Sequence, residues 1–287
     1  MSILRNKLKN KEFPVTTELF SIKGTDISPI LNKADMLSGY IDSFNITDNH
    51  RATMRTGSLG VCIALMQKGY EPVFQMTCRD RNRLALQSDL LSASVLGIEN
   101  VLFITGDHLA VGDHAEAKAV FDIDSVQLIE IAESLEQGKD AAGKNLKGKP
   151  CFFKGGAVNL TASPGWLHLI KVRKKISAGV DFFQTQLIFD TEEALKMKRD
   201  INADVLAGIT ILKSAKSARF LKEKVPGMFI PNDIIDYMEK SGDELKAGKD
   251  IAVRLIKEIS GSFEGLHIMA LGLEEYIPEI LKKAGIR

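Results

Sequence analysis

The chain is poor in cysteine. Its 287 residues include 3, Cys62, Cys78 and Cys151, odd in number and far apart. That spacing excludes a disulfide framework and paired-cysteine zinc or iron–sulfur sites, and reduced thiols point to the cytoplasm. No apolar run approaches the roughly 18 residues needed to cross a bilayer. The basic segment Met1–Glu12 lacks the long apolar stretch of a signal peptide. Charge of one sign is missing as well: 38 Lys and Arg against 37 Asp and Glu leave a net charge of +1. This gives no argument for nucleic acid or an acidic surface as partner. The histidines His50, His108, His114, His168 and His267 show no H-x-x-x-H spacing, so no metal site is expected. There is no G-x-G-x-x-G, which removes the standard dinucleotide fingerprint, and no internal repeat or low-complexity tail.

What is present is a 45% apolar composition, enough for a large core, arranged as alternating short apolar runs and helical patterns. The strand expectations are Phe13–Phe20, Ser43–Thr47, Pro72–Cys78, Asn100–Thr105, Pro150–Lys154, Asp181–Leu187, Asp204–Leu212 and Gly265–Leu271. Several are nearly continuous apolar runs, as in strands covered on both faces; Val101-Leu102-Phe103-Ile104 is the clearest. Helical spacing is expected over Ile27–Gly39, Gly57–Lys68, Asn82–Leu96, Ser125–Gln137, Pro164–Ala178, Thr191–Asn202, Ser214–Lys224, Ala247–Ser260 and Glu274–Lys283. Gly69, Gly97, Gly138 and Gly179 mark helix exits. Pro164 is expected in the first turn of its helix, where a missing N–H costs little. About eight such units predict one (β/α)8 TIM barrel domain over 1–287, with a doubly wound sheet as the alternative. Ile3, Leu4 and Leu8 add a short N-terminal helix packed on the barrel floor. The irregular stretch Asp107–Asp122 follows a strand end and is expected at the active end. Gly138–Lys149 precedes a strand and is expected on the opposite side.

In a parallel barrel the polar residues at the strands' C-terminal ends share one mouth. Collected on that rule, they are Glu18, Thr47, Asp48, Thr77, Asp107, Lys154 and Gln186. Two carboxylates at strand ends, Glu18 and Asp107, are what acid–base chemistry in a barrel mouth requires.

The segments Phe13–Phe20, Asn45-Ile46-Thr47, Gln75-Met76-Thr77-Cys78, Ile104-Thr105-Gly106-Asp107 and Gln184-Thr185-Gln186-Leu187-Ile188-Phe189-Asp190 run in an order and spacing that resembles the methylenetetrahydrofolate reductase family over nearly the whole chain. The resemblance implies a flavin-bearing barrel that reduces 5,10-methylenetetrahydrofolate to 5-methyltetrahydrofolate. It implies that Glu18 assists protonation of the folate N10 as the ring opens to an iminium ion. Hydride then comes from the flavin, and Asp107 stabilises the cation. Gly106 would let the backbone approach the flavin ring, Thr47, Gln75 and Thr77 would line it, and Lys175 would meet its phosphate. Gln186 would face the pterin of the tetrahydrofolate substrate. Departures from the family pattern fall on peripheral positions. Gln75 stands for a common histidine, Thr105 for an arginine, His168 for an aspartate, and Leu273 for the folate-clamping arginine. They bring the chain nearest the divergent reductases of anaerobic, one-carbon-fixing bacteria. That likeness implies FAD in preference to FMN, electrons from NAD(P)H or from a metal-containing redox partner subunit, and an oligomer. The competing readings are a pterin-binding methyltransferase barrel, which needs no flavin, and a non-catalytic folate-binding subunit of a larger complex.

Overall fold

The computed structural model describes residues 2–225 and 227–287. Eight parallel strands, β1 (Val15–Leu19), β2 (Ser43–Ile46), β3 (Pro72–Thr77), β4 (Asn100–Ile104), β5 (Phe153–Val158), β6 (Phe182–Leu187), β7 (Asp204–Thr210) and β8 (Gly265–Met269), close into a barrel in chain order. The ring is completed by β8 pairing with β1, with Thr16 opposite His267. The outer helices are α2 (Ser28–Met36), α3 (Ser58–Gln67), α4 (Arg83–Val95), α5 (Ser125–Glu136), α6 (Gly165–Ser177), α7 (Thr191–Lys198), α8 (Ala215–Lys224), α9 (Asn232–Lys240), α10 (Glu244–Ile259) and α11 (Ile277–Ala284). The expected TIM barrel is therefore the observed fold. Helix exits follow the local chemistry: Gly69, Gly97, Gly138 and Gly179 all adopt positive φ, a conformation that glycine enters without a Cβ penalty.

The preceding helix α1 (Ile3–Lys9) closes the floor as expected. Leu4 and Leu8 bury themselves against Val73, Leu102, Phe153, Phe182 and Leu206, which point inward from β3 to β7. Burying a leucine side chain contributes about 1.5–3 kcal/mol, so two of them hold α1 as a plug. Its first turn is fixed by Glu71, whose carboxylate accepts from the Leu4 amide at 2.9 Å and the Ser43 hydroxyl at 2.6 Å.

Element ends shift by a few residues from expectation, and four differences change an element or a placement. Strand β5 begins three residues later than expected and runs through Gly155 and Gly156. The glycines read as breakers in sequence, but here they make room. A Cβ on Gly155 would lie 2.5 Å from the Phe182 ring, and one on Gly156 3.2 Å from Phe183. The inner space is taken by the stacked Phe153 and Phe182 rings, 4.8 Å apart. This shift moves Lys154 out of the mouth, which corrects its placement. It sits at the floor end of β5, its Nζ bound to Glu136 and lying 3.2 Å from Glu133 and 3.7 Å from Asp181. Pro164 stands just ahead of α6 as its cap residue and not inside the first turn. Helix α9 was not expected, yet its buried Ile234, Ile235 and Met238 form an apolar stripe. Helix α10 starts at Glu244, not Ala247, because Asp243 caps it by accepting from the Lys246 amide.

Candidate active site at the barrel mouth

Inside the barrel, above the apolar floor, lies a buried polar layer. Asn45 Nδ2 donates to Gln184 Oε1 at 2.7 Å, and Gln184 Nε2 donates to Thr16 Oγ1 at 3.3 Å. The Thr16 hydroxyl in turn meets His267 Nδ1 at 2.9 Å. Burial pushes the His267 imidazole down to about 3, so it is neutral at physiological pH.

The next inward residue of β1 is Glu18. Its Oε1 accepts from Gln75 Nε2 of β3 at 3.0 Å. Burial raises the Glu18 carboxyl above the ordinary carboxylate range, and the Gln75 bond works against that by favouring the anion. A carboxyl whose pKa is raised in this direction is better suited to serve as a general acid.

At the end of β6 the ladder to β7 slips between Gln184 and Leu187. Thr185 stabilises the irregularity, its Oγ1 accepting from the Gly208 amide at 2.7 Å and donating to the Gln186 carbonyl at 2.6 Å. The bulge leaves Gln186 exposed between buried Thr185 and Leu187.

Beyond β4, Gly106 takes φ +93° and packs tightly. A Cβ there would lie 3.1 Å from Thr77 and 3.2 Å from Arg79. Asp107 follows, exposed at the rim. Among the described residues the amides of Gly106 and Asp107 find no acceptor within the chain.

Thr47 and Thr77 hold positions at this mouth and Lys175 lies behind β5, each with its polar group engaged by protein. Thr47 Oγ1 accepts from the Ser21 amide at 3.3 Å. The Thr77 hydroxyl donates to Asp48 Oδ2 at 3.0 Å, and Asp48 also accepts from the Thr77 amide at 2.9 Å and from Arg81. The Lys175 side chain runs along Gly156 and ends with Nζ donating to the Ala157 carbonyl at 2.7 Å. Burial, with repulsion from Lys171, pushes its amine down to about 8.

The loop after β4, expected at the active end, folds across it. Lys23 meets Asp113 at 2.5 Å, and Asp113 also accepts from the Met54 amide at 3.1 Å. Beneath it lies His50, a residue that sequence reasoning passed over as a possible site group. Its ring packs 4.5 Å from Phe20. Burial pulls its pKa down, Asp107 pulls it up, and Arg55 and Arg51 oppose Asp107. The loop around it is strained: Asn49, Arg51 and Ala52 all have positive φ, which L-residues adopt at a cost and which clusters at functional sites. The dense charge of Arg79-Asp80-Arg81 just after β3 is a sequence signal that could have drawn attention to this quadrant, and the sequence reading did not use it.

A closed parallel barrel of eight strands with outer helices makes this a (β/α)8-barrel protein, and its mouth gathers Glu18, the Gly106 and Asp107 amides and the exposed Gln186. The chain belongs to the methylenetetrahydrofolate reductase family: the sequence model of that family, described as "Methylenetetrahydrofolate reductase", matches residues 3–285. Methylenetetrahydrofolate reductase 2 of Schizosaccharomyces pombe is 22% identical over 80% of this chain and 39% of its own length. A probable methylenetetrahydrofolate reductase (NADPH) of Caenorhabditis elegans is 26% identical over 76% of this chain and 33% of its own. The chain thus aligns with well under half the length of these relatives. Among solved structures, a Clostridium thermocellum protein that binds two copies of 5-methyl-5,6,7,8-tetrahydrofolic acid superposes with a TM-score of 0.69 at 16% identity, covering 99% of this chain and 100% of that one. An oxaloacetate acetylhydrolase shares the fold at a TM-score of 0.52 and 12% identity, over 99% of this chain and 82% of its own.

Proposed function

We propose that this chain is a flavin-dependent reductase that converts 5,10-methylenetetrahydrofolate to 5-methyltetrahydrofolate. The observation that carries the reading is Glu18: a carboxyl near the end of an inner strand, its pKa raised by desolvation and its Oε1 held by Gln75. Its acid proton goes to the folate N10 as the bridging carbon–nitrogen bond opens. Help of this kind is worth roughly 10²–10⁴-fold in rate. Asp107, at the opposite rim, faces the iminium cation so formed and stabilises it electrostatically. Gln186, turned outward by the bulge, offers an amide donor and acceptor to the pterin edge.

The mouth fits a flavin. The free amides of Gly106 and Asp107 can donate to ring carbonyls and nitrogens, and the left-handed turn at Gly106 brings the backbone close. When bound, the flavin supplies hydride-transfer chemistry. Thr47, Gln75 and Thr77 form the walls beside it, and Lys175 supplies positive charge behind β5 for its phosphate. FAD is favoured over FMN. Electrons enter from NAD(P)H or from a metal-containing partner subunit, and the working protein is a cytoplasmic oligomer whose folate and flavin site lies within this one barrel domain.

The test is the visible spectrum of freshly purified protein, with released cofactor identified by chromatography, followed by anaerobic assay of 5-methyltetrahydrofolate formation with chemically reduced flavin or with NADH. Flavin bands and turnover support the reading. Colourless protein that neither FAD nor FMN reconstitutes would shift it to a methyltransferase or a non-catalytic folate-binding subunit. Rapid NADH oxidation by the chain alone would make the redox partner unnecessary.

A further inference from the structure

Arg79 is among the largest fully buried side chains of the protein, 1% exposed, and it lies at the mouth and not in the core. A guanidinium placed there has lost its water and must be repaid by several acceptors at once. It finds them in three different loops. Its Nε and Nη2 grip Asp80 in a two-pronged pair at 2.8 and 2.7 Å. Nη2 also donates to the Asn49 carbonyl at 3.2 Å, and Nη1 makes a long contact of 3.5 Å with the Asp107 carbonyl. Its backbone carbonyl accepts from the Val120 amide at 2.8 Å, which ties down the far end of the loop after β4. Asn49 closes the circuit by donating Nδ2 to Asp80 at 3.2 Å. The stem of Arg79 is also what Gly106 packs against.

We infer that Arg79 is a positioning residue for the proposed reaction, clamping the exits of β2, β3 and β4 so that Asp107 is held opposite the strained loop bearing His50. The inference rests on the proposed role of Asp107. The reason for arginine is geometric: a planar fork with five donors can hold a carboxylate and two carbonyls together, which a single ammonium cannot. Asp107 is exposed and makes no side-chain hydrogen bond of its own among the described residues. Its placement therefore comes through its backbone: Arg79 meets the Asp107 carbonyl, Gly106 packs on Arg79 and Thr77, and the Cys78 amide holds the Thr105 carbonyl at 3.2 Å.

His50 is a built-in reporter. The charged groups acting on it are Asp107, Arg55 and Arg51. Removing the Asp107 charge with D107N lowers the His50 pKa. Removing the positive charge of Arg79 would, by charge alone, raise it or leave it unchanged. If Arg79 positions Asp107, R79Q instead lowers it, and the two mechanisms differ in sign. The experiment is NMR titration of His50, assigned with H50Q, in the flavin-free wild type, R79Q, R79K, D107N and R79Q/D107N. Turnover of the reconstituted proteins is measured in parallel. The expected result is a downward His50 shift in R79Q and R79K that vanishes in the D107N background. With it, R79Q turnover falls about 10²-fold, the scale of a misplaced catalytic group, and the double variant is no slower than D107N. R79K retains the buried charge and serves where R79Q yields little folded protein. An upward or absent His50 shift in R79Q and R79K overturns the inference, and so do losses that multiply in the double variant. If the wild type lacks reductase activity but the His50 cycle holds, the clamp stands and the reductase reading fails.

Discussion

Replacing Glu18 with glutamine separates stability from catalysis. The substitution is nearly isosteric, and the carbonyl oxygen of the introduced amide can still accept from Gln75 Nε2, as Glu18 Oε1 does at 3.0 Å. No cavity results, and the amide nitrogen takes the place of Oε2, which is not among the fully buried unpartnered atoms, so little loss of stability is expected. The ionisable proton is lost, however. Burial raises the folded-state pKa of Glu18 above its ordinary 4.5. The folded chain therefore binds this proton more tightly than the unfolded chain, and wild-type stability falls as pH rises from the unfolded value through the folded one. E18Q escapes that loss. At about pH 8 it should melt at the same temperature as wild type or higher, while folate reduction drops about 10²–10⁴-fold, equivalent to roughly 2.7–5.4 kcal/mol of barrier. The assay pairs thermal melts at several pH values with the rate of 5-methyltetrahydrofolate formation. In wild type the rate should decline on the alkaline side with an apparent pKa above the usual carboxylate range, and E18Q should flatten that limb. A wild-type rate in E18Q, or an activity loss matched by a lowered melting temperature at every pH, would refute the reasoning.

Other outcomes follow from the same geometry. Q186A should raise KM for the folate about 2–10-fold with little change in kcat, the scale of one hydrogen bond, as read by steady-state kinetics. G208A should destabilise the protein by about 1–3 kcal/mol in a denaturant melt. Its new Cβ would sit 2.5 Å from the Thr185 carbonyl and 2.7 Å from that of Gln186, so KM should rise with it. His267 is held neutral, with its pKa pushed down to about 3. As pH falls below the unfolded value the unfolded chain gains a proton that the fold refuses, so stability should fall by up to about 1.4 kcal/mol per pH unit. H267Q should flatten that slope in urea melts across the acid range, and an unchanged slope would assign it to other groups.

Much of this molecule was legible locally. The alternation of apolar strands and helices marked all eight strands, and the α1 plug could be read from Leu4 and Leu8. The errors have a common cause. Gly155 and Gly156 look like breakers until Phe182 and Phe183, nearly thirty residues later, arrive to fill their space. Lys154 could not be put at the correct end of its strand without them. Helix α9 is the exception: its apolar stripe of Ile234, Ile235 and Met238 is a local signal that the sequence reading passed over.

The candidate site divides along the same line. Glu18, Asp107 and Gln186 were identifiable because position at a strand end is a local property and parallel strands bring such ends together. The sequence could not show what each polar group would find there. The Thr77 hydroxyl is bound by Asp48 from the neighbouring strand's exit, Lys175 by the Ala157 carbonyl, and Glu18 by Gln75, fifty-seven positions away. Nor could it place Arg79 at the junction of three loops. Periodicity and punctuation, which act over a few residues, determined the elements and their order. Protonation, hydrogen-bond partners and the aim of each side chain depend on burial and on neighbours remote in the chain, so only the closed barrel decided them.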